Sequence, residues 1–216
     1  MRFEKAYKGI KKMYAAEWMY LFASIFFGLL SLLVFEETRL VEITGDEDIV
    51  SVIALFLVVI SLGTLTLGFL INMIGTVQAA QNDSQFRNAV LFEILHIGLM
   101  FSENLFSHST LMTALIRELA GLCSTLVMLY VINGIANLAE KLGDAKMVDL
   151  GKKSFSIIMG TYVLSIVLSI VSQYVLTNAN NIIVMIVQGS MVLLTIIQYI
   201  IYMRYLRKAK NMLKEH

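Results

Sequence analysis

Apolar residues fill long stretches of this chain, and polar residues collect in short stretches between them. Residues 49–82 and 154–203 contain no Asp, Glu, Lys or Arg. A membrane-crossing helix needs about 20 predominantly apolar residues. The second run therefore holds two crossings, divided near its middle by Thr177-Asn178-Ala179-Asn180-Asn181. The pattern predicts spans at 17–35, from 49 into a polar turn near 82, at 86–107, at 111–138, at 155–176 and at 182–203. The third is the weakest, because Glu93, His96 and Glu103 lie inside it. Residues 3–14 are amphipathic: Phe3, Tyr7, Ile10 and Tyr14 share one helical face, and Lys5, Lys8, Lys11 and Lys12 occupy the others. Such a helix lies in the membrane interface with its lysines at the headgroups. Trp18 and Tyr20 suit an interfacial aromatic belt. The first apolar segment has no convincing small-x-small cleavage site, so it is read as a retained span.

A corner occurs twice. Asn72 precedes Asp83 by 11 residues and Phe86 by 14, and Asn133 precedes Asp144 and Met147 by the same intervals. Each copy lies between two long apolar runs. Each reads as a helix end, a tight turn and a new helix. Asn82 and Gly143 stand where a left-handed residue closes a helix, and Asp83 and Asp144 stand where an N-cap opens one. Residues 79–89, Ala-Ala-Gln-Asn-Asp-Ser-Gln-Phe-Arg-Asn-Ala, resemble a cytoplasmic corner of small, uncharacterised multi-spanning integral membrane proteins of bacteria and archaea. Those proteins have a small residue, a turn with Asp, then Phe-x-x-Ala. The second corner departs from this, with Met147 for Phe and Leu150 for Ala. The resemblance implies a multi-spanning fold and no activity.

Charge orients the spans. Only 15% of residues are charged, against about 25% in a soluble domain. With six spans and the N-terminus inside, fifteen of the seventeen Lys and Arg fall on the cytoplasmic side. The acidic stretch at 36–48 falls outside with Arg39, and Arg117 lies within a span. If 86–107 did not cross, nine of the fifteen would change sides, against the positive-inside rule. The fold class is therefore all-α: a polytopic membrane protein of six transmembrane helices in three hairpins, N-in and C-in. Residues 1–216 form one transmembrane domain, with an interfacial segment at 1–15 and a basic cytoplasmic tail at 204–216. The hairpins run the same way, so any internal symmetry is parallel, about an axis along the membrane normal.

Candidate chemistry is sparse. Glu93 and His96 have the i, i+3 spacing of carboxylate-bridged metal bundles, but those sites need a second such pair, and none occurs. Gln85, Asn88, His96, Glu103 and Ser107 fall near one helical face, with Glu93 on its flank. The candidate intramembrane polar cluster is Glu93, His96, Glu103 and Arg117. If the hairpin turns near Ser109, Glu103 and Arg117 reach similar depth and can pair. Otherwise Arg117 snorkels to the outer interface. Ridges of small and hydroxyl residues suit close helix packing: Thr64, Gly68, Asn72 and Thr76, then Thr161, Ser165, Ser169 and Ser172. Gln188, Thr195, Gln198 and Tyr202 form a polar face in the last span, for packing or for lining a solute cavity. No Pro is present to kink a helix around a substrate, although Gly can do the same. The single cysteine, Cys123, gives no disulfide and no Cys-based metal site. No phosphate loop, nucleotide fingerprint or zinc-protease motif occurs.

The sequence points to a multi-pass cell-membrane protein with no catalytic, cofactor-binding or metal-ligating residue. Its leading role is interaction, regulation or assembly with membrane partners. A small-solute transporter, or its membrane-embedded binding subunit, is the alternative, and an intramembrane enzyme comes third. The partners are anionic lipid headgroups at the basic termini and either a membrane protein or a second copy of this chain. Nucleic acid is not among them.

Overall fold

The computed structural model describes residues 2–35, 47–106, 108–176 and 181–215. Residues 36–46 of the acidic stretch, Ser107 and residues 177–180 of the divider lie outside them, while Glu47, Asp48 and Asn181 belong to described helices. Every long element described is an α-helix: α1 (Glu4–Phe35), α2 (Glu47–Ala79), α3 (Ser84–Leu105), α4 (Thr110–Leu142), α5 (Ala145–Leu176) and α6 (Asn181–Glu215). Five of the six, all but α3, are long and apolar enough to cross a membrane. The amphipathic segment and the first span form one continuous helix, α1. Near its start the fully buried residues are Ala6 and Ile10, while Phe3 and Tyr7 are half-buried.

The helices divide into two compact units, Met1–Ile10 with Thr76–His216, and Lys11–Gly75. In the larger unit, α3 lies antiparallel on α4. Asp83 meets Asn137, Phe86 packs on Gly134, Phe92 stacks on Tyr130 with ring centroids 5.3 Å apart, and Glu103 meets Arg117. α4 in turn lies antiparallel on α5. Ala136 faces Gly151 and Glu118 faces Ser169, the same eighteen-residue step on both helices (136 to 118, 151 to 169). α5 and α6 keep one register as well, from Gly151 against Tyr205 to Ile158 against Gln198. α4 is the central helix: 44% of its apolar window is buried, against 6–17% for the other four candidate spans.

Small residues set the closest approaches. A Cβ at Gly151 would come within 2.6 Å of the Tyr205 hydroxyl and 3.2 Å of Ala136 Cβ. Tyr205 is fully buried there, and its hydroxyl donates to the Ile132 carbonyl of α4 at 3.4 Å. In the smaller unit, Gly68 of α2 lets Met19 and Tyr20 of α1 approach. A Cβ at Gly68 would lie 3.1–3.2 Å from their atoms. Of the α2 ridge, Gly68, Asn72 and Thr76 are buried and Thr64 is half-buried; Ser61 is buried as well. Tyr14, Trp18 and Phe22 follow one another at i, i+4 intervals along α1, with centroids 6.4–6.5 Å apart, the first pair edge to face and the second tilted.

The two corners close differently. At the second, Gly143 has φ 76°, the left-handed conformation that glycine adopts without a Cβ clash. Its N–H donates to the Glu140 carbonyl at 3.0 Å, and the Asp144 N–H donates to Ala139 at 2.9 Å, the bonds of a Schellman motif. Asp144 Oδ1 then accepts from the Met147 N–H at 3.0 Å. At the first corner, Asp83 is extended (φ −152°, ψ 138°) and accepts from the Gln85 N–H at 3.0 Å. The expectation of a left-handed Asn82 is corrected, because no described non-glycine residue has positive φ. A 2.9 Å bond from the Asn82 N–H to the Ala79 carbonyl closes the turn instead. The Asn82 side chain is thereby free to serve a distant helix. Its Oδ1 accepts from the Ala6 N–H at 2.8 Å, satisfying one of the four orphan donors at the start of α1.

Candidate functional site

The polar residues within the apolar stretches of the larger unit follow from helix geometry. Cα–Cβ bonds tilt toward a helix N-terminus. Arg117, near the start of α4, therefore leans back toward the turn, where Glu103 ends α3. Arg117 Nη2 donates to Glu103 Oε1 at 2.6 Å, with side-chain exposures of 71% and 22%. About two turns back along α3 from Glu103, His96 Nδ1 lies 2.8 Å from the Ala120 carbonyl oxygen. A carbonyl only accepts, so Nδ1 carries the proton in that bond. Glu93, at i−3 from His96 on α3, is buried at 6% exposure.

The other polar contacts join other helix pairs. Ser169 Oγ donates to Glu118 Oε1 at 2.9 Å, tying α5 to α4. Gln198 Nε2 donates to the Ile158 carbonyl at 3.4 Å, tying α6 to α5. Thr161 and Ser165, on the same ridge as Ser169, bond back to carbonyls of their own helix. Of the four sequence-selected residues, the structure joins Glu103 to Arg117, sets His96 on the α4 backbone and buries Glu93 in α3. Among the described residues no group of three or more His, Cys, Asp and Glu side chains could hold a metal ion.

A second polar cluster lies at the corner end. Asp83 accepts from Lys141 Nζ at 3.0 Å and lies 3.3–3.4 Å from Asn137 Nδ2. Its side chain is 6% exposed and that of Lys141 is 47%. Arg2 donates to the Lys141 carbonyl at 3.1 Å, one of the last four carbonyls of α4 that no helical N–H reaches. This end thus gathers the start of α1, both corners and, through Tyr205 on Gly151, the last turns of α6. Asn72 is buried on α2 and Asn133 is half-buried on α4. The residue beside the latter, Gly134, is the socket for Phe86.

Sequence reasoning selected Arg117 and passed over its neighbour Glu118, and it missed the roles of Asn137 and Lys141. Glu118 had a signal. It stands 25 residues before Gly143, and Ser169 stands 25 after Asp144, so a hairpin folded at that corner sets them level. Asn137 and Lys141 share one face at i, i+4, but only the α3–α4 register shows that this face meets Asp83.

We expect Glu103→Gln and Arg117→Gln each to lower folded yield in detergent, and the double variant to recover part of the loss. An exposed pair in water contributes only about 0.2–1 kcal/mol, whereas a lone charge in a span costs up to about 2.5–3.5 kcal/mol at the helix centre. The coupling energy of the cycle, read from thermal unfolding, separates the pair from other losses. Strictly additive losses would show that the two charges do not support each other.

No protein-family model matches the chain, and neither a curated protein nor a solved structure matches it.

Proposed function

We propose that the chain is a small multi-pass protein of the cell membrane in which all six helices cross, with both termini on the cytoplasmic side. Its role is non-enzymatic: interaction, regulation or assembly with membrane partners, either another membrane protein or a second copy of this chain. The observation that carries the role is the dispersal of polar groups. His96 and the Glu103–Arg117 pair serve α3 and α4, Glu118–Ser169 serves α4 and α5, and Gln198–Ile158 serves α5 and α6. Each contact fastens one neighbouring pair of helices. A transporter needs such groups to converge on one water-filled cavity.

The crossing of α3 is supported by its register on α4. It follows α4 from Asn137 to Arg117, about 30 Å at 1.5 Å per residue, which is the thickness of the hydrocarbon core. A helix bound to α4 along that length crosses wherever α4 crosses. Sidedness is supported by the corner end, where Arg2, Lys141 and the basic last turns of α6 come together. The resemblance of the first corner to corners of small integral membrane proteins is in keeping with this.

The test is thiol labelling in a Cys123→Ser background. With a membrane-impermeant reagent on intact cells, Glu42→Cys should react and Lys152→Cys should react only after permeabilisation. The opposite pattern would end the proposed sidedness. Glu93→Cys should react from neither side. Its ready labelling by a water-soluble reagent would mean an aqueous pathway at that depth, and the transport reading would replace this one.

A further inference from the structure

Two adjacent charged residues of α4, Arg117 and Glu118, stand exposed where its uncharged run ends. Residues 119–139 carry no Asp, Glu, Lys or Arg, and they span about 30 Å of helix, the thickness of the hydrocarbon core. We propose that this face of α4 meets the same face of a second copy, in a two-fold dimer where Arg117 of each chain pairs with Glu118 of the other. The dimer rests on the membrane reading above and chooses between the two partners named there.

Neither charge is used up within one chain. Arg117 gives one N–H to Glu103, and 71% of its side chain stays exposed. A guanidinium has five N–H donors in a planar fork, so it can serve a second carboxylate. Glu118 Oε1 accepts from Ser169, and Glu118 has no ion-pair partner among the described residues. The two cannot pair with each other, because successive helical side chains point about 100° apart. Ala114 and Gly121 fall within that sector, and both are exposed. A Cβ at Gly121 would meet nothing within 4 Å. Small residues here let a second helix come close, and a charge of each sign borders the approach.

The face supplies its own complement. Copies of one chain cross a bilayer in the same direction, so a two-fold axis runs along the membrane normal and equal-numbered residues share one depth. Turning a helix by 180° about that axis brings its Arg117 side opposite the Glu118 side of the other. The two residues differ in depth by only about 1.5 Å, so both reciprocal pairs form together. At the hydrocarbon edge such a pair interacts through a lower dielectric than in water. Each Arg117 then bridges its own Glu103 and Glu118 of the second copy.

Disulfide cross-linking of the full chain in native membranes, in a Cys123→Ser background, tests the face. Gly121→Cys stands near the axis and should give a cross-linked dimer on oxidation, since bridged Cα atoms lie within about 7 Å. Nothing in the chain's own packing opposes that side chain. Leu119→Cys, also exposed but about 160° around the helix, should stay uncross-linked. Charge exchange tests the pairing, with association read by single-molecule photobleaching across a dilution series in liposomes. Glu118→Lys sets like charges across the axis and should weaken association at least about tenfold. Glu103→Arg with Arg117→Glu reverses the α3–α4 pair without removing it, leaves two acidic residues on the face, and should associate as weakly. Mixed together, the two variants should associate as well as the wild type, because every contact across the axis again joins opposite charges. No cross-link at 121, equal cross-linking at 119 and 121, or no recovery in the mixture would overturn the dimer. A chain that shows the expected thiol labelling from each side of the membrane but no cross-link at 121 loses only the dimer, and another membrane protein takes the partner's place. The labelling pattern is read independently of the cross-link, so failure of the membrane reading is distinguishable from failure of the dimer.

Discussion

Gly134→Ala should destabilise the protein, while Gly121→Ala, on the same helix, should stabilise it. Alanine is favoured over glycine in a helix interior by about 0.8–1 kcal/mol. At Gly121 nothing lies within 4 Å of the added Cβ, so the helix keeps that gain. At Gly134 the Cβ would fall 2.7–2.9 Å from three atoms of the Phe86 ring. Phe86 is fully buried, so the ring can move only by displacing its neighbours. Overpacking of this kind costs about 1–3 kcal/mol, enough to cancel the helical gain and reverse its sign. Gly134→Val, with a larger and branched side chain, should remove most of the folded protein. Phe86→Leu in the Gly134→Ala background should restore part of the loss, because the smaller side chain vacates the space that the methyl needs. Thermal unfolding of the purified chain in one detergent checks all four variants. Equal effects of alanine at the two glycines would show that Phe86 does not sit in the Gly134 socket.

The helices were legible because span length is a physical constraint: apolar runs long enough to cross a bilayer are long enough to count. The second corner was legible because Gly143 followed by Asp144 is local chemistry, a left-handed closure and an N-cap on adjacent residues. The first corner was half legible. Asp83 caps α3, but Asn82 closes its turn without a left-handed backbone and spends its side chain on Ala6, 76 residues away. No local pattern encodes that bond. The amphipathic reading of residues 3–14 set Phe3, Tyr7, Ile10 and Tyr14 on one face; Ile10 is fully buried and the other three are half-buried, while the small residue Ala6, outside that set, is fully buried as well. Depth from a turn brought Glu103 and Arg117 together on paper, and they stand 2.6 Å apart. The same arithmetic around the second corner sets Glu118 level with Ser169. The contact of Tyr205 with Ile132 lies beyond such reasoning, since it depends on how α6 packs on α5 and α4 together.

Asp83→Ala should cost more than Asp144→Ala, although the two residues occupy matching places in the repeated corner. Both accept a backbone N–H from the first turn of the following helix, at 3.0 Å in each case. Loss of such a cap costs about 0.5–2 kcal/mol. Asp144 gives up little else. Asp83 also holds Lys141 at 3.0 Å and lies 3.3–3.4 Å from Asn137, so it fastens α3 to α4 as well as starting α3. Hydrogen bonds to charged groups contribute about 1.5–3 kcal/mol. The full value does not apply here, because Lys141 is about half exposed and can turn to water. Asn137 has less freedom, and Arg2 is tied to the Lys141 carbonyl, so a shift of this turn would also loosen the start of α1. A loss of about 2–3 kcal/mol at Asp83 is expected, roughly one more than at Asp144. Asp83→Asn separates the two roles. An amide oxygen can still cap Gln85 but offers Lys141 no charge, so its loss should fall between those of wild type and Asp83→Ala. Lys141→Gln should then have little further effect in the Asp83→Asn background and a clear effect in the wild type. Equal losses at Asp83 and Asp144 would mean that both act only as caps, and the α3–α4 pair would have to be held by Phe86, the aromatic stack, His96 and the Glu103–Arg117 pair without help from Asp83.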